Sequence, residues 1–159
     1  MGNSTGSYTT ILCGTDGSES SFRAVDRAAA VARDAGATLL LACAYRPMSA
    51  REVQEAKDAL GSEAYKVAGS HPAEDVLRDA ADRARAAGVT EVDTIAIEGD
   101  PVDGLISVVE SRGVDLVIVG NRGLNSLAGR LLGSVPANIS HRASCDVLIV
   151  HTTGKGVKK

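Results

Sequence analysis

One segment decides the fold of this 159-residue chain: Asp115-Leu116-Val117-Ile118-Val119-Gly120. Its four central residues are aliphatic, and no polar side chain interrupts them. A half-buried strand would alternate apolar and polar residues, whereas this run is apolar on both faces. The segment therefore predicts a strand that is covered on both faces, as strands of parallel sheets are.

Four similar apolar runs flank this segment at regular intervals. They are Thr9–Gly14, Thr38–Ala44, Val92–Glu98 and Asp146–His151. The residues between them show helical periodicity or helix start and stop signals, which predict helices over Ser20–Ala35, His71–Gly88, Pro101–Arg112 and Pro136–Arg142. Asp100 is the expected cap before Pro101, the expected first helical residue. Residues 46–70 are the least readable part, with a weak helix over Ala50–Leu60.

Strands that alternate with helices at this spacing predict βαβ crossovers. The expected fold class is α/β: a five-stranded, doubly wound parallel sheet with helices on both faces, in a flavodoxin-like or Rossmann-like layout. Ligands of such sheets bind at the carboxyl ends of the strands, near the point where the strand order reverses. We expect one domain over residues 1–159, with disordered tails at 1–8 and 153–159.

Composition excludes several classes of partner. The formal net charge is −3 and no basic stripe is present, so a nucleic-acid partner is not expected. No apolar stretch approaches the length of a membrane span, so no membrane partner is expected either. Cys13, Cys43 and Cys145 have neither disulfide-like nor zinc-like spacing, and we interpret them as structural residues of a protein in the reducing cytoplasm.

A glycine-rich segment follows the central strand. It reads Gly120-Asn121-Arg122-Gly123, then nine residues, then Gly133-Ser134. Glycines permit a close approach of backbone N–H groups to a ligand, and Gly133-Ser134-Val135 opens a helix whose free N–H groups favour a phosphate. Arg122 and Arg130 are candidates for charge-assisted bonds to it. The alternative interpretation is a surface loop. No Walker A sequence and no Gly-x-Gly-x-x-Gly after a strand is present.

The pattern Gly-x-x-Gly-x(9)-Gly-Ser resembles the ATP-binding signature of the universal stress protein family. Every fixed position is matched, by Gly120, Gly123, Gly133 and Ser134. Three further stretches resemble that family: Gly14-Thr15-Asp16-Gly17-Ser18, Gly99-Asp100-Pro101 and Cys145–Val150. The resemblance covers roughly residues 8–152.

The resemblance implies a site and a partner. It places the adenine near Ala44, between the first two strands, and has Asp16 contact the ribose or, through Mg²⁺, the phosphates. By the same resemblance, Gly120 and Gly123 would flank the ribose and α-phosphate, and Gly133, Ser134 and Val135 would hold the phosphates. Gly14, Thr15, Asn121, Arg122 and Arg130 are further predicted nucleotide-binding residues. It also implies a homodimer through the last strand, Asp146 to Val150, which would cover an exposed edge.

These features leave three functions open. The first is a nucleotide sensor or reservoir in the stress response, with ATP as the first candidate ligand and cyclic AMP as the second. The second is a slow ATPase that uses Asp16 and Mg²⁺, although no general base is evident, so an enzyme is not the first expectation. The third is an interaction protein with a vestigial loop. Asp16 and Ser18 are both candidate caps of the first helix, and Asp16 is also a candidate ligand contact. Asn138 is a candidate for either a structural bond or a ligand contact.

Overall fold

Five parallel strands form one sheet in the computed structural model, which describes residues 7–47, 49–61, 71–121 and 133–152. The strands are β1 (Thr10–Gly14), β2 (Thr38–Tyr45), β3 (Val92–Glu98), β4 (Leu116–Gly120) and β5 (Asp146–Val150). Their order across the sheet is β3-β2-β1-β4-β5. Each neighbouring pair is parallel, which confirms the doubly wound sheet predicted from the sequence.

Five helices lie between these strands in the described part of the chain. They are α1 (Glu19–Ala35), α2 (Ala50–Leu60), α3 (His71–Ala86), α4 (Pro101–Arg112) and α5 (Ser134–Arg142). The predicted start of α4 is confirmed, because Asp100 accepts a hydrogen bond from Asp103 N at 2.9 Å and Pro101 is the first helical residue. Helix α5 begins at Ser134, two residues before the predicted Pro136, because Gly133 already has the extended backbone of a cap.

The helices cover both faces of the sheet. One apolar layer joins α1 and α3 to β1, β2 and β4, with Ile11, Leu41 and Ile118 at its centre. The second layer joins α4 and α5 to the opposite face, where Leu12, Val117 and Leu105 are buried. Consecutive residues of β1 and β4 thus enter different layers, which explains why these strands are apolar throughout. Helix α2 has no buried residue and stands apart from both layers.

The strand order reverses between β1 and β4. From β1 the chain crosses through α1 to β2 on one side, and α4 then carries it across to β4 on the other side. In open sheets of this class, ligands bind at the carboxyl edge where the strand order reverses, which here is the edge formed by the ends of β1 and β4. The fold therefore brings together the two segments that the sequence singled out.

The cysteines are packed rather than paired. Cys13 and Cys43 are buried and Cys145 is half-buried, and all three are free thiols. Burial raises the pKa of the Cys13 thiol to about 12, which leaves it protonated and unreactive at neutral pH. The cytoplasmic location that these thiols suggest stays a prediction. No helix within the described ranges is long and apolar enough to cross a membrane.

Helix α4 approaches the sheet closely through Gly104. A methyl group at this position would overlap Cγ2 of Ile97, a β-branched side chain of β3 that cannot turn away. We expect Gly104→Ala to lower the free energy of unfolding by about 1–2 kcal/mol, because overpacking outweighs the higher helix propensity of alanine. Urea denaturation measures this difference. Ser107→Ala, on the exposed side of the same helix, is the control, and a Gly104→Ala protein as stable as that control would contradict the prediction.

Candidate functional site

The candidate site lies at the carboxyl edge of the sheet, where three segments meet. They are the loop after β1 (Gly14–Ser18), the end of β4 (Gly120-Asn121) and the amino end of α5 (Gly133–Val135). The carbonyl oxygen of Asn121 accepts a hydrogen bond from Gly133 N at 3.1 Å. This bond places the first and last parts of the glycine-rich signature side by side, although eleven residues separate them in the sequence.

The loop after β1 is held by its own side chains. Thr15 is buried, its N–H donates to the carbonyl of Ala42 at 2.9 Å, and its hydroxyl lies 2.7 Å from that of Ser21. The Thr15 hydroxyl also accepts from Gly17 N at 3.2 Å. These contacts make Thr15 a support of the loop, and its predicted contact with the nucleotide stays a prediction.

The cap of α1 is Ser18, so the cap interpretation of Asp16 is wrong. Ser18 Oγ accepts from Ser21 N at 3.1 Å, which satisfies a free donor of the first helical turn. Asp16 Oδ1 instead accepts from Ser18 N at 2.9 Å and so shapes the turn that leads into the cap. Sequence alone allowed both residues, because Asp and Ser cap helices about equally well and they lie two positions apart.

Asp16 is the carboxylate of this part of the site. Asp16 is half-buried. Burial of the Cys43 thiol, together with the negative charge of the nearby Asp16, raises the pKa of that thiol. The described residues contain no group of three or more acidic, histidine or cysteine side chains that would hold a metal ion. A Mg²⁺ ion at Asp16 would therefore need phosphate oxygens and water as its other ligands.

The amino end of α5 has no side-chain cap. Its cap residue is Gly133, which has no side chain and so leaves the first N–H groups of the helix without a side-chain cap hydrogen bond. Within that turn Pro136 carries no N–H, so the donors of Ser134 and Val135 remain at the helix start. The side-chain amide of Asn138 donates to Ser134 O at 2.8 Å. Of the two roles predicted for Asn138, the structure thus shows the structural hydrogen bond.

Asn121 links the loop to the end of the chain. Its N–H donates to Val150 O at 2.9 Å, and its side-chain oxygen accepts from both Thr152 N (2.9 Å) and Thr152 Oγ1 (3.0 Å). Thr152 O in turn accepts from Arg23 Nη1 of α1 at 2.7 Å. Sequence reasoning missed Thr152 and Arg23, because a threonine after the last strand and an exposed arginine on α1 carry no local signal.

The remaining predicted site residues fall into two groups. Ala44 and Val135 are half-buried and pack against the same apolar layer, which puts the expected adenine end and the expected phosphate end on the α4–α5 side of the sheet. Arg122, Gly123 and Arg130 lie outside the described residues, and their predicted contacts stay predictions. Two surface grooves lie elsewhere: about 460 Å³ between α3 and β3, and about 620 Å³ at the amino ends of β1, β4 and β5.

Comparison with known proteins points to one family. The model of the universal stress protein family matches residues 7–151. A universal stress protein of Mycobacterium tuberculosis (strain ATCC 25618 / H37Rv) is 53% identical over 146 residues, which cover 92% of this chain and 98% of the relative. Another, from Thermus aquaticus, is 30% identical over 143 residues, or 90% of this chain and 98% of that one.

Two solved structures are similar to this chain. A crystal structure of a universal stress protein in complex with cAMP superposes with a TM-score of 0.71 at 44% identity, covering 92% of this chain and 99% of the other. A universal stress protein from Lactobacillus plantarum superposes with a TM-score of 0.73 at 23% identity, covering 91% and 98%. The second likeness shows that the fold is shared.

The roles of Ser18 and Asp16 are separable by mutation. We expect Ser18→Ala to lower the free energy of unfolding by about 1 kcal/mol, because the Ser21 N–H loses its acceptor. Asp16→Asn keeps the oxygen that accepts from Ser18 N and is expected to change it by less than about 0.5 kcal/mol. Urea denaturation of both variants at pH 7 provides the comparison. A loss for Asp16→Asn as large as that for Ser18→Ala would instead show that the charge of Asp16, rather than the Ser18 cap, supports the start of α1.

Proposed function

This chain belongs to the universal stress protein family, and from that membership we propose that it binds an adenine nucleotide at the carboxyl edge of its sheet, as a nucleotide sensor or reservoir. The observation that carries the proposal is the amino end of α5, which has no side-chain cap hydrogen bond and which Asn121 holds beside the end of β4. Free backbone N–H groups and the helix dipole favour a phosphate there. Ala44 supplies apolar surface for the base and packs against the same apolar layer as Val135 at the start of α5.

Cyclic AMP and ATP differ in what they require of this site. Cyclic AMP carries one negative charge, which the N–H groups of Ser134 and Val135 are suited to accept. ATP carries several charges beside the carboxylate of Asp16, so its binding would need Mg²⁺ or the guanidinium groups of Arg122 and Arg130. The complex of a 44% identical relative with cAMP supports cyclic AMP as the first ligand to test. The match to the ATP-type signature keeps ATP as the second.

Calorimetric titration of the full chain separates these ligands. We expect cyclic AMP to bind more tightly than ATP, and EDTA to leave its affinity unchanged, because no metal is needed for a single charge. Asp16→Asn removes the carboxylate and is expected to bring the affinity for ATP without Mg²⁺ closer to that for ATP–Mg²⁺. Tighter, Mg²⁺-dependent binding of ATP would assign the triphosphate instead, and phosphate release above background would then favour the slow ATPase. Absence of binding to both at high micromolar concentration would refute the proposal.

A second part of the proposal is a homodimer through β5. This strand lies at the end of the sheet, and its Val147, Leu148 and Ile149 side chains are half-exposed. Val150 O accepts from Asn121 N, so Val150 pairs inward with β4, and the alternation of a strand turns the backbone groups of Val147 and Ile149 outward. A second copy of β5 would cover this apolar edge and satisfy those groups.

Sedimentation equilibrium tests the dimer. We expect the wild-type chain to be dimeric at micromolar concentration and Val147→Pro to shift it toward the monomer, because proline removes an outward N–H from the edge. Thr94→Pro is the matched control. Gly99 N donates to Tyr45 O, so by the same alternation Thr94 turns its backbone outward on β3, the opposite edge of the sheet. A monomeric wild type, or equal effects of the two prolines, would contradict the interface.

A further inference from the structure

Thr152 is a buried polar residue beside the candidate site whose N–H, hydroxyl and carbonyl are all hydrogen-bonded. Its side chain and backbone together are only 1% exposed. Its N–H and its hydroxyl both donate to the side-chain oxygen of Asn121, and its carbonyl accepts from Arg23 Nη1. We call these three hydrogen bonds the Thr152 clamp. A buried group of this kind is costly to leave unpaired, so the clamp holds Asn121 and Arg23 in one arrangement.

The clamp acts on Asn121, the residue that joins the end of β4 to the cap of α5. A backbone N–H can only donate, so the contact with Thr152 N fixes which atom of the Asn121 amide is the oxygen and fixes the side-chain orientation. The carbonyl of the same residue accepts from Gly133 N, the cap of α5. Thr152 therefore constrains the position of the α5 amino end through one intermediate residue, without lying in the signature.

The clamp also explains why residue 120 is a glycine. A Cβ atom at Gly120 would lie 3.2 Å from Cγ2 of Thr152, which is tighter than most contacts, and 3.4 Å from its Oγ1. The Thr152 side chain thus packs directly against Gly120. An alanine there would require Thr152 to shift by a few tenths of an ångström.

We infer that Thr152 is a positioning residue for nucleotide binding, acting through Asn121, and that Gly120 is required because its missing side chain admits Thr152. The inference rests on the proposed nucleotide function. In physical terms, the clamp keeps the α5 N–H groups in the geometry that a phosphate needs before any ligand is bound. A site that is ordered in advance binds more tightly, because less freedom is lost on binding.

The first test compares two substitutions of Thr152 in the full chain. Thr152→Val keeps the shape and removes the hydroxyl donor, whereas Thr152→Ser keeps the donor and removes the methyl group. We expect Thr152→Val to raise the Kd for the bound nucleotide about fivefold, and Thr152→Ser to rescue most of that loss. Thr94→Val makes the same chemical change on β3, at the far edge of the sheet, and is the control.

A second measurement separates positioning from stability. Amide hydrogen exchange by NMR reports the Gly133 N–H that donates to Asn121, and it needs no nucleotide. We expect faster exchange at Gly133 in Thr152→Val than in Thr152→Ser, at a temperature where all variants are folded. A Thr152→Val protein that is less stable but has unchanged Kd and unchanged exchange at Gly133 would overturn the inference.

The double variant Gly120→Ala/Thr152→Ser tests the role of the glycine. Gly120→Ala alone is expected to raise the Kd about tenfold, and the added Thr152→Ser is expected to recover most of it, because removing Cγ2 makes room for the alanine. No recovery would mean that the missing Cβ of Gly120 serves the ligand directly, which overturns that half of the inference. If the wild type binds neither ATP nor cyclic AMP, the proposed function fails. If it binds and all variants bind equally, only the inference fails.

Discussion

The parallel pairing of β1 with β4 is the constraint on which the rest of the structure depends. Ile11, Leu12 and Cys13 lie beside Leu116, Val117 and Ile118, and both strands are buried on both faces. The chain leaves β1 toward β2 and leaves β4 toward β5, on opposite sides of this pair. That divergence opens the carboxyl edge of the sheet at one place, and the chemically distinctive loops of the sequence follow these two strands.

Hydrogen bonds at this edge hold the segments of the candidate site in place. Thr15 and Ser18 fix the loop after β1, and Asn121 joins the end of β4 to the cap of α5. The sequence predicted Thr15 and Asn121 as ligand contacts, yet all three residues use polar atoms to hold the backbone. Among the described residues, the groups that we propose for a phosphate are the backbone N–H donors at the start of α5.

The sequence predicted elements more reliably than roles. The strand at β4 and the Asp100–Pro101 start of α4 followed from local rules, because an unbroken aliphatic run and a cap before proline carry their own signal. Asp16 and Ser18 were indistinguishable, since the choice depends on the backbone turn between them. Thr152 was not foreseen, because its partners Asn121 and Arg23 lie 31 and 129 residues away along the chain.

The sequence by itself determined the α/β class, the family resemblance and the segments that meet at the carboxyl edge. These follow from periodicity, from turn residues and from a spaced glycine signature, all of which act over a few residues. Only the tertiary structure decided which polar atoms remain for a ligand, because a hydrogen bond between distant residues depends on the strand order and the register. One example is the hydrogen bond from Gly133 N to Asn121 O, and another is the packing of Thr152 against Gly120. Both depend on the pairing of β4 with β5.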